Sequence, residues 1–329
     1  MSDAPSAQPD SQPISLGYDD LPPLFHHAVK RSVRAQRQFF SELAAELILL
    51  ALGVLVGAFS GSLDSIGSFS LVAPPFTVIG IHVPELTAFQ FAEAALIALA
   101  LLMRLIRGFT RPERLWYEAR AVAESVKSLA WRYAVGGEPF QESLSPEELD
   151  AVVADRFGGI RTDLSKYRAP EHVAGQGQIT PGMRRMRALT LSQRKRAYRA
   201  DRVDEQQVWY TKNSRFNRLR GGQAHLILVV VEAFGVCAAL LPLALAAIHL
   251  FPLSLQSLAT NVAGGGAAWI QAKRYEDLTA SYKVTASELK QVSADIEKAQ
   301  DEPAWARFVE NAEGSMSREH QLWRATRVD

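Results

Sequence analysis

Apolar residues gather in four long runs, and most of the remaining chain repeats apolar positions every three or four residues. Leu226 to Ile270 holds two of the runs, Leu226 to Ile248 and Leu253 to Ile270, joined at His249-Leu250-Phe251-Pro252, with Glu232 as the only formally charged residue. Leu43 to Gly61 and Phe89 to Ile106 are the other two. Each is close to the roughly 20 apolar residues that a helix needs to cross a bilayer core of about 30 Å. The pattern therefore predicts spans near 43–61, 89–106, 226–248 and 253–270.

Basic residues set the orientation of these spans. Lys30, Arg31, Arg34 and Arg37 precede the first, and Arg104, Arg107, Arg111 and Arg114 lie at and beyond the end of the second. Lys212, Arg215, Arg218 and Arg220 precede the third, and Lys273 and Arg274 follow the fourth. Lys and Arg mark cytoplasmic flanks, so both hairpins run in-out-in, with both termini in the cytoplasm. Gly61 to Ala88 has no Lys or Arg and suits a translocated loop, although apolar Leu71 to Ile79 could dip into the bilayer.

Helical periodicity continues outside the spans. Trp116, Ala119, Ala123, Val126, Ala130 and Tyr133 form one apolar stripe, stopped by Gly136-Gly137. Ser145-Pro146-Glu147-Glu148 has the form of a capped helix start, and the helix it opens is expected to end near Phe157-Gly158-Gly159. Met183 to Asn217 reads as one long charged helix, Gln271 to Lys298 as another, and Trp305 to Arg327 as the last. The fold class is thus an all-α membrane protein, with four transmembrane helices in two hairpins and a cytosolic helical bundle.

Composition sharpens this picture in three places. The net charge of +1 points to no polyelectrolyte partner, and nucleic acid is not expected. The single cysteine, Cys237, lies in an apolar run, which excludes a disulfide framework and a cysteine metal cluster. Residues 1–20 are rich in Ser, Pro, Asp and Gln and read as a disordered tail without a signal-peptide pattern. Residues 169–182, with Pro170, Gly175, Gly177, Pro181 and Gly182, form a linker between two units, 21–168 and 183–329, that repeat one plan of basic helix, span, turn, span and cytosolic helix.

The residues flanking the second hairpin carry a family signal. Tyr198, Arg202, Gln206, Trp209, Tyr210 and Lys212 lead into it, and Tyr275, Tyr282, Thr285, Ala286, Glu288 and Leu289 lead out. Glu313, Ser317, Glu319, His320 and Trp323 close the chain. This resembles the SLATT group, the two-transmembrane effectors associated with SMODS and SLOG nucleotide systems. Trp116, Arg120, Ala121, Glu124, Ser125, Lys127 and Trp131 resemble a second SLATT subtype. The resemblance implies a tandem of two SLATT domains and a membrane effector of prokaryotic conflict or antiphage systems that perforates or depolarises the membrane on a nucleotide-linked signal. It also implies the inner membrane of a prokaryote. Four helices alone can pack shut without leaving a pore, so conduction would require a homo-oligomer, and the signal would act on the cytosolic helices directly or arrive through a separate nucleotide-sensing or nucleotide-synthesising partner. The competing class is a non-conducting scaffold whose cytosolic bundle recruits a partner.

Candidate sites follow from charge placed where it is costly. Glu46, Glu93 and Glu232 lie in spans, where ionisable groups line polar paths or snorkel to the interface. They are pore or gate candidates, with snorkelling the competing account for Glu46 and Glu232. Gly264, Gly265 and Gly266 offer a small-residue surface for helix packing. Arg184, Arg185 and Arg187 are candidate phosphate contacts against the plainer reading of a salt-bridged solvated face. No spacing suits a metal pair, a phosphate loop, a dinucleotide fingerprint or a nucleophile elbow, so neither an enzyme nor a cofactor is expected.

Overall fold

A computed structural model describes residues 15–64, 72–73, 76–78, 81–83, 86–163, 173, 177–244 and 255–325. The expected tail includes residues 15–20, of which Leu16 is buried, its N–H donating to Asp201 Oδ2 at 3.3 Å. Helix α1 is Pro23–Asp64, α2 is Ala88–Thr110, α3 is Pro112–Val135 and α4 is Pro146–Asp163. Then come α5 (Pro181–Arg187), α6 (Leu191–Ala197), a π-helical segment Tyr198–Asp204, and α7 (Glu205–Ala244). Helices α8 (Leu255–Lys273), α9 (Tyr275–Asp295) and α10 (Glu302–Ala325) complete the chain.

The described residues are largely helical as expected, apart from short strands in the loop between the first two runs. Val72–Ala73 pairs antiparallel with Leu86–Thr87, and Phe76–Val78 with Ile81–Val83. Both pairs share one register, Val72 opposite Thr87 and Phe76 opposite Val83. The β-branched residues and phenylalanine in these segments favour extended backbone.

Local chemistry accounts for several helix ends. Ser145 and Glu148 form the predicted capping box, each backbone N–H donating to the other's side chain. The helix it opens runs to Asp163 rather than stopping at Gly158-Gly159, because neither glycine takes up a positive φ. The long helix expected over 183–217 is broken at Ala188 to Thr190, where Thr190 and Gln193 make a second capping box that the charge pattern hides. The helix expected over 271–298 is likewise broken at Arg274, which has φ 52°. Asp301 accepts from the Ala304 N–H and starts α10, with Pro303 in the first turn, where its missing N–H costs nothing.

The chain divides into two compact units that do not follow sequence order. One, the polar unit, comprises Met1–Arg34, Arg114–Ser214 and Ala280–Asp329, and the other, the apolar unit, comprises Ala35–Glu113 and Arg215–Thr279. Trp116, Ala119, Ala123, Val126, Ala130 and Tyr133 of the predicted α3 stripe are all buried in the polar unit. Trp131, Trp305, Tyr198, Phe140, Met183 and Leu289 fill the rest of its core. The C-terminus of α3 is closed by Gly136 at φ 75°, with Gly137 N–H donating to Arg132 O at 2.8 Å. Its Val135 carbonyl accepts from Arg194 Nη1 at 2.8 Å and Trp305 Nε1 at 2.7 Å.

Among the described residues, three helical stretches, Pro23–Ala58, Phe89–Val135 and Leu191–Leu240, each contain a segment long and apolar enough to cross a membrane. These coincide with three of the four expected spans. Residues 253–270 supply most of α8, but Gln256, Ser257, Thr260 and Asn261 dilute its hydropathy, and it is not among the three. Small residues bring the helices together. A Cβ at Gly53 would lie 3.4 Å from Ile97, at Gly235 3.1 Å from Ala259, and at Gly266 3.4 Å from Leu228.

Gly136→Ala is expected to cost about 1–2 kcal/mol for the left-handed backbone alone, and more because its Cβ would collide with the Arg194 guanidinium. Thermal unfolding of the detergent-solubilised protein, followed by tryptophan fluorescence, checks this.

Candidate functional site

The residues of the second flanking motif converge inside the polar unit. Tyr198 and Arg202 are one helical turn apart on the π segment, and both reach Glu313 of α10. Arg202 Nε donates to Glu313 Oε1 at 2.8 Å and Nη2 to Oε2 at 2.6 Å, a bidentate pair. The Tyr198 hydroxyl donates to Oε1 at 3.0 Å. Glu313 is 0 % exposed and Arg202 3 %, so the two charges depend on each other for solvation. π-Helical winding is rare and frequently accompanies functional sites.

Electrostatics around the pair is set by burial. Burial raises the Tyr198 hydroxyl pKa well above its ordinary value, and the Glu313 carboxylate adds to the effect. Burial disfavours the charge on Arg202, but Glu313 more than offsets it and the pKa is raised. Lys127 is lowered, first by burial and then by the like charge of Arg202. A small cleft lies beside the pair, lined by Glu124, Arg202, Gln206, Tyr210 and Met316. Its volume of about 10 Å³ matches a single water.

A second cluster joins residues from both flanking motifs. Tyr210 and Tyr282 meet edge to face at 5.4 Å, and Trp209 packs against both at 5.0 and 5.4 Å. The pKa of Arg120 is raised, because Tyr282, Glu124 and Tyr210 outweigh the burial that disfavours its charge. Trp131 sets its ring edge-on to Tyr198 at 5.9 Å. Of the other motif residues, Glu288 is exposed, and Tyr275 belongs to the apolar unit, its Cβ 3.0 Å from where a Cβ at Gly221 would lie.

The candidate phosphate arginines separate by environment. Arg187 donates to the carbonyls of Tyr133, Phe140 and Gln141 and covers the Tyr133 ring, which makes it a clamp on the turn after α3. Arg185 is 3.5 Å from Asp20 with most of its side chain in solvent, and Arg184 is exposed. Buried Arg194 serves the same turn as Arg187 and also pairs with Glu302. Cations suit this place because helix C-termini carry partial negative charge.

The three acids in spans also differ. Glu46 is buried against Arg107 and lies 3.5 Å from Arg104. Glu93 is half-buried, and a Cβ at Gly57 would lie 2.7 Å from its carboxyl. Gly53 and Gly57 form a small-x-x-x-small pair on α1 that the acids drew attention away from. Glu232 is exposed. Gly265 and Gly266 face Leu47 and Leu228, whereas Gly264 has nothing within 4 Å.

Sequence reasoning left Glu313 out of the candidate sites. Its signal was present: Trp305, Val309, Ala312 and Met316 form the buried face of α10, and a carboxylate at position 313 falls on that face. A charge on an apolar stripe requires a buried partner.

Glu313→Ala leaves Arg202 buried without its counter-ion and is expected to cost about 3–5 kcal/mol. The double change Arg202→Met with Glu313→Leu removes both charges and is expected to cost far less. Tyr198→Phe removes one hydrogen bond, worth about 1 kcal/mol. Thermal unfolding of the three variants checks the ordering.

Comparison with known proteins follows this geometry. The family model described as "SMODS and SLOG-associating 2TM effector domain 3" matches residues 69–195, and that described as "SMODS and SLOG-associating 2TM effector domain 1" matches residues 198–323. No curated protein and no solved structure matches the chain. The first match begins after α1, and the second begins at Tyr198, the first residue of the π segment. The chain belongs to the SLATT family and carries two SLATT domains in tandem.

Proposed function

We propose that the chain is a membrane effector of a prokaryotic conflict or antiphage system. It forms a pore in, or depolarises, the inner membrane as a homo-oligomer on a nucleotide-linked signal. The observation that carries this reading is the pair of tandem two-transmembrane effector domains, which between them supply the helices of the apolar unit apart from α1.

The reading includes a fourth span at α8, which returns the C-terminus to the cytoplasm. The helix is 19 residues long, about 28 Å at 1.5 Å per residue. At its end Lys273 Nζ sits 3.4 Å from the Phe40 ring centre and 4.8 Å from that of Trp269. Tryptophan and lysine are the residues that favour a membrane–water interface. Reporter fusions within 245–254 and at the C-terminus are expected to report opposite sides of the membrane, and the same side for both would remove the fourth span.

The signal reaches the protein through a separate partner. The cleft beside Arg202 is far smaller than a nucleotide, and Arg187 is committed to backbone carbonyls. Arg184 and Arg185 remain as phosphate contacts. One observation favours the scaffold alternative: Val208, Trp209 and Val284 of the polar unit are exposed, which suits a protein partner.

Purified protein in planar bilayers, with and without nucleotide ligands, is expected to give discrete conductance. A bilayer silent under all conditions overturns the pore. Unchanged membrane potential in expressing cells, together with a co-purifying partner, selects the scaffold.

A further inference from the structure

Among the described residues, two other than glycine take up a positive φ, Arg111 at 45° and Arg274 at 52°. They hold the same place in the two domains, between an apolar helix and the polar helix that follows it: Arg111 joins α2 to α3, and Arg274 joins α8 to α9. Both end the apolar helix alike, the Arg111 N–H donating to Arg107 O at 2.9 Å and the Arg274 N–H to Ile270 O at 3.0 Å. This is a left-handed helix stop, whose last residue is ordinarily glycine or asparagine. A longer side chain on left-handed backbone is strained, and strain of this kind gathers at switch regions.

The residue after each arginine makes the two joints unequal. Pro112 follows Arg111, and a residue before proline is kept out of right-handed helical backbone. The first bend is therefore set by the local sequence. Tyr275 follows Arg274, and Ala272, Lys273, Arg274 and Glu276 all favour helix. These residues would carry one helix straight through the joint, as the sequence pattern predicts over 271–298, and the bend gives up intrahelical hydrogen bonds on both sides. What favours it is tertiary. Helix α7 comes up to the joint at Gly221, where an added Cβ would lie 3.0 Å from Tyr275 Cβ, and both residues belong to the apolar unit.

We infer that Arg274 is a conformational switch: its backbone passes from left-handed to right-handed, and α8 and α9 fuse into one straight helix, while Pro112 keeps the joint at Arg111 bent. The second domain is thus the moving one and the first the fixed one. The inference rests on the effector reading above for what the switch serves, since it names the place where a signal received by α9 passes to α8. Tyr282, Thr285 and Leu289 give α9 its buried face, so a partner that grips α9 acts on the joint through a rigid helix. Gly221 leaves room for the bent form, because a side chain there would crowd Tyr275.

The test is a distance measurement by pulsed electron spin resonance on the full chain in liposomes. Spin labels go on Thr260→Cys and Ser287→Cys, both exposed, in a Cys237→Ser background. In one straight helix these positions are about 40 Å apart at 1.5 Å per residue, and any bend brings them closer. Arg274→Ala, which favours right-handed backbone, is expected to populate the long distance several-fold more than Arg274→Gly, which removes the strain of the bent form. Gly221→Leu is expected to raise it as well, by crowding Tyr275. Tyr275→Pro, tolerated at a helix start, makes the second joint like the first and is expected to abolish it, and Arg111→Gly to leave it unchanged. A long distance absent from every variant, or equally populated in Arg274→Ala and Arg274→Gly, overturns the switch. The distances read the joint whether or not the protein conducts, so the expected distances beside a silent bilayer overturn the pore and leave the switch standing.

Discussion

Glu313 has no exposure to solvent, and a carboxylate there is tolerated only because Arg202 and Tyr198 solvate it. Three of the most buried side chains of the polar unit are therefore committed to one another. Tyr198 then fixes its surroundings, with Trp131 of α3 on one side and Trp305 of α10, 5.6 Å away, on the other. Trp305 in turn donates to Val135 at the end of α3. The ion pair thus ties α3, the π segment and α10 into one arrangement. A buried ion pair is poor evidence for stability, but this one joins the π segment to α10 through two hydrogen bonds.

The tandem domains are continuous in sequence but not in the fold. Each match contributes helices to both compact units: α2 and α3 lie in the first, α7 to α10 in the second. Segregation by solvent accounts for this. Apolar helices gather where hydrocarbon can cover them, and charge-rich helices gather where water can. Membership of a unit follows hydropathy rather than the order of the domains. The polar core is accordingly built across the tandem, with Trp131 from one domain against Tyr198 from the other.

Arginine shows how one residue type can serve several ends. Arg187 and Arg194 close the C-terminus of α3, Arg107 neutralises Glu46, and Arg202 neutralises Glu313. Arg184 and Arg185, in the same sequence cluster as Arg187, face solvent instead. The planar guanidinium with five donors suits each buried role. Nothing in the local charge pattern around residues 184–202 separates these fates, because all of them lie on charged helices with similar neighbours.

What the sequence determined by itself was local: apolar runs long enough to span a bilayer, the Ser145 and Glu148 capping box, the α3 stripe ending at Gly136, and the motif strings of both SLATT domains. These depend on residues within a few turns of one another, so composition and spacing carry them. The tertiary structure decided which charges meet. Tyr198 and Arg202 find Glu313 more than a hundred residues away, Arg187 is taken up by a turn rather than left for phosphate, and Glu46 is neutralised while Glu232 is left exposed. It also broke two long helices at Thr190 and Arg274. Coulomb energy depends on distance in three dimensions, and helical periodicity contains no information about which distant partner will be close.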